Sequence, residues 1–267
     1  MLPTFIIAGA QKAGTTALRI YLSQHDEVFM ADKEIHFFDR DENFSKGLEW
    51  YESFFDHDDS ERVVGEKTPD YMYDERVAER IYEFLPDVKL IFVLRNPIDR
   101  AYSHYWHNVR RGVERNSFHD AVKKEIAGVT DTSYLDRGKY VIQLRKFAKF
   151  FSKSDMLFLR TEDLKSNTVE SLKMVLEFLN VNKDFEFSDL KKKHVGGVPR
   201  SVLIAKLCNI RPIKDIRFIK DGLLFLNTKK GEKPDMKRKT KKLLKHFFSD
   251  YNSHLSQFTD MDLSMWE

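Results

Sequence analysis

Residues 5–16 read Phe5-Ile6-Ile7-Ala8-Gly9-Ala10-Gln11-Lys12-Ala13-Gly14-Thr15-Thr16, and the chain continues with Ala17, Leu18, Tyr21 and Leu22 at helical spacing. The uncharged apolar run predicts a buried strand, the glycines bracketing the next segment predict a loop, and the periodic residues after it predict a helix. A strand, glycine loop and helix in that order aim backbone N–H groups and a helix N-terminus at one point, where a phosphate can be cradled. Lys12 adds a point charge inside that loop. A lone loop of this kind also serves as an ordinary strand-to-helix turn, so its meaning depends on the remaining chain.

Working outward, Val63-Val64-Gly65 leads into Glu66-Lys67-Thr68-Pro69, and residues 88–94 (VKLIFVL) form another buried-strand run that ends at Arg95-Asn96-Pro97. Pro97 stops the strand. Val77, Ile81, Phe84 and Leu85 carry a helical period within residues 74–85, and residues 98–109 repeat it. Residues 156–159 (MLFL) predict a further strand between helical stretches at 140–151 and 168–179. This alternation predicts an α/β fold with a central parallel sheet covered by helices, organised as one domain over residues 1–267. Residues 196–225 have no clear period and read as loop and short helix, suited to an acceptor-side lid or wall.

A chain of 267 residues can bury one substantial core, and 33% charged residues beside 22 Phe place it among globular soluble proteins. No window approaches the roughly 18 to 20 apolar residues of a membrane span. The start has neither a basic n-region nor a cleavage site, so a cytoplasmic protein is expected. Cys208 is the only cysteine, which excludes an internal disulfide and a multi-cysteine zinc site. The histidines show no ligand spacing, so no metal is expected. Nine Lys/Arg crowd residues 229–245 against Glu232 and Asp235, which reads either as an anion site or as the solvated face of a helix over 237–245. Neither a nucleic-acid nor a membrane partner is expected, and the sequence carries no signal for oligomeric state.

The loop half matches the G-x-x-x-x-G-K-[ST] pattern of magnesium-dependent ATP enzymes: Thr15 stands where that pattern has its Lys. The 88–94 strand ends in Arg95 rather than the Asp that would help hold magnesium. A metal-free anhydride donor fits better. Arg95 at a strand end and Ser103 two turns into the next helix could share a terminal phosphate monoester, while the alternative is an ion pair of Arg95 with Asp99.

The loop at 9–16, the stretch Glu34-Ile35-His36-Phe37-Phe38-Asp39, the tetrad at 66–69, the run Leu94-Arg95-Asn96-Pro97…Arg100-Ala101-Tyr102-Ser103 and the segment Lys229-Lys230-Gly231-Glu232-Lys233-Pro234 resemble the sulfotransferases that use 3′-phosphoadenosine 5′-phosphosulfate (PAPS). The resemblance is to the heparan sulfate N- and 3-O-sulfotransferase branch, as a bacterial-type soluble relative. It implies that Lys12, Ala13, Gly14, Thr15 and Thr16 bind the phosphosulfate and 5′-phosphate, that Arg95 and Ser103 bind the 3′-phosphate, and that Lys230 and Gly231 close over the nucleotide. It further implies that Glu34 is catalytic and that His36, Asp39 and Lys67 line the reaction centre on the acceptor side. The product nucleotide would be 3′-phosphoadenosine 5′-phosphate (PAP). Thr16 and Glu232 depart from the family, which has Arg at the first position in some members and usually at the second.

Sulfuryl transfer is an in-line displacement that needs positioning, a base for the nucleophile and cations for the leaving phosphate. Flanked by Ile35, Phe37 and Phe38, Glu34 is expected to be partly desolvated and its pKa raised toward a useful base, with His36 in reserve. In an extended segment both project to the same side. Lys12 and Lys67 would neutralise charge on the bridging and sulfuryl oxygens. Without the other motifs, Glu34 and His36 would read as a surface pair before a core Phe-Phe, and Lys67 as a surface neighbour of Glu66. Tyr71, Tyr73, Tyr102, Tyr105 and Trp106 are either core or stacking residues. Two other classes remain: a P-loop small-molecule kinase, which predicts magnesium dependence, and a non-catalytic polyanion binder using residues 229–245, which has no need of Glu34.

Overall fold

In a computed structural model of the chain, residues 2–56, 62–190, 198–208, 222–224, 226–229, 231 and 233–267 are described. They divide into two compact units, the first comprising Met1–Asn96, Tyr140–Lys192 and His254–Asp262, the second Pro97–Lys139, Lys193–Ser253 and Leu263–Glu267.

The first unit is built on a five-stranded sheet, β1 (Phe5–Gly9), β2 (Val28–Met30), β3 (Val63–Lys67), β4 (Lys89–Leu94) and β5 (Met156–Arg160), in the order β2-β3-β1-β4-β5. Every pairing is parallel. All residues of β1 are buried, as are all but the first of β4, which is why these strands read as continuous apolar runs rather than alternating ones. Helix α1 (Thr15–Leu22) packs on β1, β2 and β3 through Leu18 and its neighbours. The short α2 (Asp41–Phe44) and α3 (Gly47–Glu52) follow, then α4 (Val77–Phe84) between β3 and β4. The predicted strands and helices are all present. Strand β2, three residues long, is too short to show a period, and the sequence did not reveal it.

Because β1 lies between β3 and β4, the chain reverses direction across the sheet at β1, and the loops leaving β1, β3 and β4 emerge at one carboxyl edge. That is where α/β sheets hold ligands. Packing at the centre of the sheet is close: Phe5 pairs in register with Gly65, and a Cβ at Gly65 would lie 2.2 Å from the Phe5 ring.

The second unit begins with α5 (Pro97–Arg110), whose proline takes the first helical position, where a missing N–H costs nothing. Helix α6 (Phe118–Ile126) packs on it around Ala101, Tyr105, Phe118, Val122 and Tyr134. In the first unit again, α7 (Tyr140–Phe147) precedes β5, and α8 (Thr161–Ser166) and α9 (Thr168–Leu179) follow it. The 196–225 region contains β6 (Val198–Pro199), paired antiparallel with β7 (Thr228–Lys229), and α10 (Val202–Leu207); much of the rest lies outside the described residues. Helix α11 (Arg238–Thr259) brings Leu244 and Phe248 into the second unit's core, while Lys239, Lys241, Lys242 and Lys245 stay exposed. The charged run there is a solvated helix face. No described helix is long and apolar enough to cross a membrane.

Replacing Gly65 with Ala forces a methyl into the Phe5 ring and should cost about 1–3 kcal/mol, as overpacking does. Chemical denaturation of the variant against the parent chain measures it.

Candidate active site

The loop after β1 carries its lysine in a left-handed conformation, with Lys12 at φ 70, and Gly14 at φ 102 and ψ 10 serves as the N-cap of α1. Glycine meets little cost at that angle. The first turn of α1 contains no acidic residue, so nothing on the helix itself offsets its positive end. The N–H groups of Thr15 and Thr16 open the helix and have no acceptor one turn back, which leaves them aimed outward.

Side chains from three other segments help fix the loop. Gln11 Nε2 donates to Asp70 Oδ1 at 3.3 Å, Arg95 Nη1 donates to the Lys12 carbonyl at 3.3 Å, and the buried Thr161 hydroxyl bonds the Ala13 carbonyl while reaching the Leu94 carbonyl at 3.0 Å. The Arg95 carbonyl is held in turn by the Tyr140 hydroxyl at 2.9 Å. Thr161 thus ties the ends of β1, β4 and β5 together. Sequence reasoning passed over it, although a polar residue directly after the 156–159 strand occupies the edge where such sites form.

Glu34, His36, Asp39 and Lys67 meet in the first unit. Lys67 Nζ contacts Glu34 Oε1, His36 Nε2 lies 3.5 Å from Glu34 Oε2, and His36 Nδ1 lies 2.8 Å from Asp39 Oδ2. The segment is not extended as expected, because His36 adopts φ 55. Burial of Ile35, Phe37 and Phe38 turns Glu34 and His36 to the open side, with Phe37 stacked on Tyr51 at 4.5 Å between ring centroids. Lys67 is not a surface neighbour of Glu66: both are buried at the end of β3.

The charge states differ from expectation at Glu34. Desolvation does act to raise its pKa, but the hydrogen bond from His36, together with that from Lys67, outweighs it and holds the carboxyl down at about 2. The apolar flank Ile35, Phe37, Phe38 points away from the carboxylate, and cations face it. His36 is raised to about 9, chiefly by Asp39 and then by Glu34, so it is an imidazolium at neutral pH. Ligand atoms of Glu34, His36 and Asp70 come within 4.8 Å of one another. Both His36 ring nitrogens face carboxylates, Nε2 that of Glu34 and Nδ1 that of Asp39.

In the second unit, Ser103 Oγ accepts a hydrogen bond from Lys233 Nζ at 3.0 Å, and the Tyr102 hydroxyl donates to the Pro234 carbonyl at 2.7 Å. Lys233 and Pro234 are therefore seated on α5. Lys230 and Glu232 lie outside the described residues. Arg95 belongs to the first unit and Ser103 to the second. Of the aromatic group, Tyr71 and Tyr105 are core residues, and Tyr102 and Trp106 pack on the second unit's core.

A family model described as "Sulfotransferase domain" matches residues 2–255. Heparan sulfate glucosamine 3-O-sulfotransferase 5 of Mus musculus is 35% identical over 187 residues, covering 67% of this chain and 54% of the relative. Heparan sulfate glucosamine 3-O-sulfotransferase 3B1 of Mus musculus is 30% identical over 280 residues, covering all of this chain and 65% of the relative. The chain thus spans between about half and two-thirds of the length of these relatives. The crystal structure of a sulfotransferase from Alicyclobacillus acidocaldarius superposes with a TM-score of 0.76 at 27% identity, covering 100% of this chain and 99% of that one.

The His36 shift has a consequence for stability. A histidine whose folded pKa is raised contributes stability that is complete below its ordinary value and disappears as pH rises through the folded value, here about 9. The melting temperature should therefore fall between about pH 7 and pH 9.5, and His36→Gln should lower it at pH 7 and flatten that decline. Thermal melts of both proteins across the range measure the difference.

Proposed function

Because the chain belongs to the sulfotransferase domain family, we propose that it transfers a sulfuryl group from PAPS to a hydroxyl or amine of a carbohydrate acceptor, acting as one domain over residues 1–267. The observation that carries this reading is the cluster of Glu34, His36, Asp39 and Lys67 in the same unit as the Gly9–Gly14 loop. Both stand on the carboxyl ends of neighbouring strands, β3 and β1. The names of the two mouse relatives, which specify 3-O transfer to glucosamine of heparan sulfate, support a sugar acceptor.

The residues present suit an anionic, metal-free donor. The α1 N-terminus, Lys12 and the N–H groups of Gly14, Thr15 and Thr16 form a donor set for a 5′-phosphate, and Arg95, at the end of β4, adds a second cation. PAPS, when bound, supplies an activated sulfuryl group on a phosphate leaving group. Lys12 and Lys67 stabilise negative charge as it builds on the leaving oxygen and the sulfuryl oxygens. Glu34 takes the proton of the attacking acceptor group, so that the new S–O or S–N bond forms as the old S–O bond breaks.

With its pKa near 2 in the free protein, Glu34 is ionised at neutral pH but only weakly basic. An anionic donor drawing Lys67 away removes one of the two partners that depress it and returns proton affinity to the carboxylate. His36, held as a cation by Asp39, stays within reach of Glu34 and steadies the ionised form between turnovers.

Calorimetry with PAP in the absence of magnesium should give micromolar binding, about −8 kcal/mol, and much weaker binding of ATP. Preference for ATP with magnesium would promote the kinase instead. With labelled PAPS and heparan sulfate as the acceptor, Glu34→Gln should lower turnover by about 10²–10⁴-fold and leave PAP affinity nearly intact, whereas Lys12→Ala should damage both. Transfer should survive chelation of divalent metals. Wild-type turnover in Glu34→Gln would remove it as the base.

A further inference from the structure

We propose that Glu66 is a positioning residue that holds the Glu34–His36–Asp39 segment against Lys67 through the hydroxyls of Thr68 and Tyr71. Resting on the reading of that cluster as the reaction centre, this assigns a role to a buried carboxylate that the chemistry above does not use.

Glu66 is fully buried, one residue before Lys67 on β3. A carboxylate out of water is costly unless donors surround it. Here three hydroxyls do: Tyr51 at 2.5 Å and Tyr71 at 3.1 Å donate to Oε1, and Thr68 donates to Oε2 at 2.8 Å. Two of these hydroxyls carry the connection further. Thr68 Oγ1 accepts the Ile35 N–H at 3.2 Å, and the Tyr71 oxygen accepts the N–H groups of Phe37 at 2.9 Å and Phe38 at 3.4 Å. The amides so held are that of Ile35, between Glu34 and His36, and those of Phe37 and Phe38, which follow His36.

The segment from Ala31 to Arg40 contains no regular secondary structure, so no helix or sheet ladder sets its position. The relay does. A carboxylate only accepts, so each hydroxyl must spend its proton on Glu66 and turn its lone pairs toward an amide N–H. The direction of every bond in the relay therefore follows from the charge at its centre. Burial pushes the Glu66 carboxyl up to about 7 while the three hydroxyls pull it down, which keeps the accepting form available near neutrality. Lys67 grips Glu34 from the same strand end. Successive residues of β3 thus hold one segment, Lys67 by its reacting side chain and Glu66 by its backbone.

A glutamine at this position keeps the volume and one accepting oxygen but presents N–H groups to the other side, where Thr68 now donates. Removing the Tyr71 hydroxyl leaves the Phe37 and Phe38 amides without their acceptor. Both changes should loosen His36 from Asp39 and Glu34 without touching any of the three.

The test is the midpoint of the His36 titration, followed by NMR of the histidine side chains in the full chain, with a circular-dichroism spectrum confirming the fold. In the parent protein the midpoint should lie near 9. Tyr71→Phe should lower it by about one pH unit or more toward the ordinary histidine value, and Glu66→Gln should lower it by a smaller but resolved amount. Loss of stability alone would not move the midpoint of molecules that remain folded. A Glu66→Gln midpoint equal to that of the parent overturns the proposal; should that variant not fold, an unchanged midpoint in Tyr71→Phe overturns it. A parent midpoint at the ordinary value would instead dissolve the Glu34–His36–Asp39 cluster, which is a failure of the underlying reading and is seen before any variant is made.

Discussion

β3 ends by placing two neighbouring ionisable residues, Glu66 and Lys67, out of water. Neither can remain charged there alone, because an unmatched buried charge costs several kcal/mol. Each is matched by the same stretch of chain, Lys67 by the Glu34 carboxylate and Glu66 by hydroxyls that in turn bind that stretch's amides. The irregular segment between β2 and α2 is consequently held in part by these two residues, alongside side-chain bonds from Asn43 and Arg80 to its carbonyls. Its aromatic residues then close over the network, with Phe38 edge-on to Tyr51 and Tyr71 at centroid distances of 5.2 and 5.6 Å.

The strand-loop-helix start was legible because one apolar run, one glycine-bracketed loop and one helical period each have a single reading at that length. β4 and the helix after it were legible for the same reason, with Pro97 marking the boundary between them. β2 and α6 were not. The first is a three-residue strand supported from one side by β3, and the second begins after a Ser117 cap whose oxygen accepts from the Asp120 N–H, a local signal that the flanking polar residues obscured. The helix expected over 237–245 continues to Thr259, since charged residues dominate its sequence while Leu244, Phe248 and Leu255 keep one side buried.

At the candidate site, the sequence pointed to Glu34, His36, Asp39 and Lys67, which the fold brings together, but not to their charge states. Ile35, Phe37 and Phe38 surround Glu34 in the chain, and proximity in sequence implied an apolar environment. The fold places those side chains on the opposite side and brings Lys67 across from a strand more than thirty positions away. A pKa depends on what faces the group in space, and a Lys and a His facing one carboxylate lower it however apolar its sequence neighbours are. Nor could the sequence reveal Glu66. Next to Lys67 it looks like a surface salt-bridge residue, and only the convergence of Tyr51, Thr68 and Tyr71 on it identifies it as buried.

The cluster's strong mutual pairing in the free protein also bears on how it would respond to an anionic ligand. Lys67 is fully committed to Glu34, and His36 to Asp39 and Glu34. On the proposed function, a phosphosulfate entering beside Lys12 would compete for Lys67, and what it gained there Glu34 would lose. Binding of the donor and basicity of Glu34, the proposed base, would thereby be coupled through one ammonium group. That coupling would favour proton abstraction only with the donor present, because in its absence the same ammonium helps hold the Glu34 pKa down. His36 limits how far the change can go, since its bond to Asp39 keeps an imidazolium beside Glu34 after Lys67 has moved. The carboxylate thus lies between two cations, Lys67, which the proposed donor would recruit, and His36, which Asp39 retains.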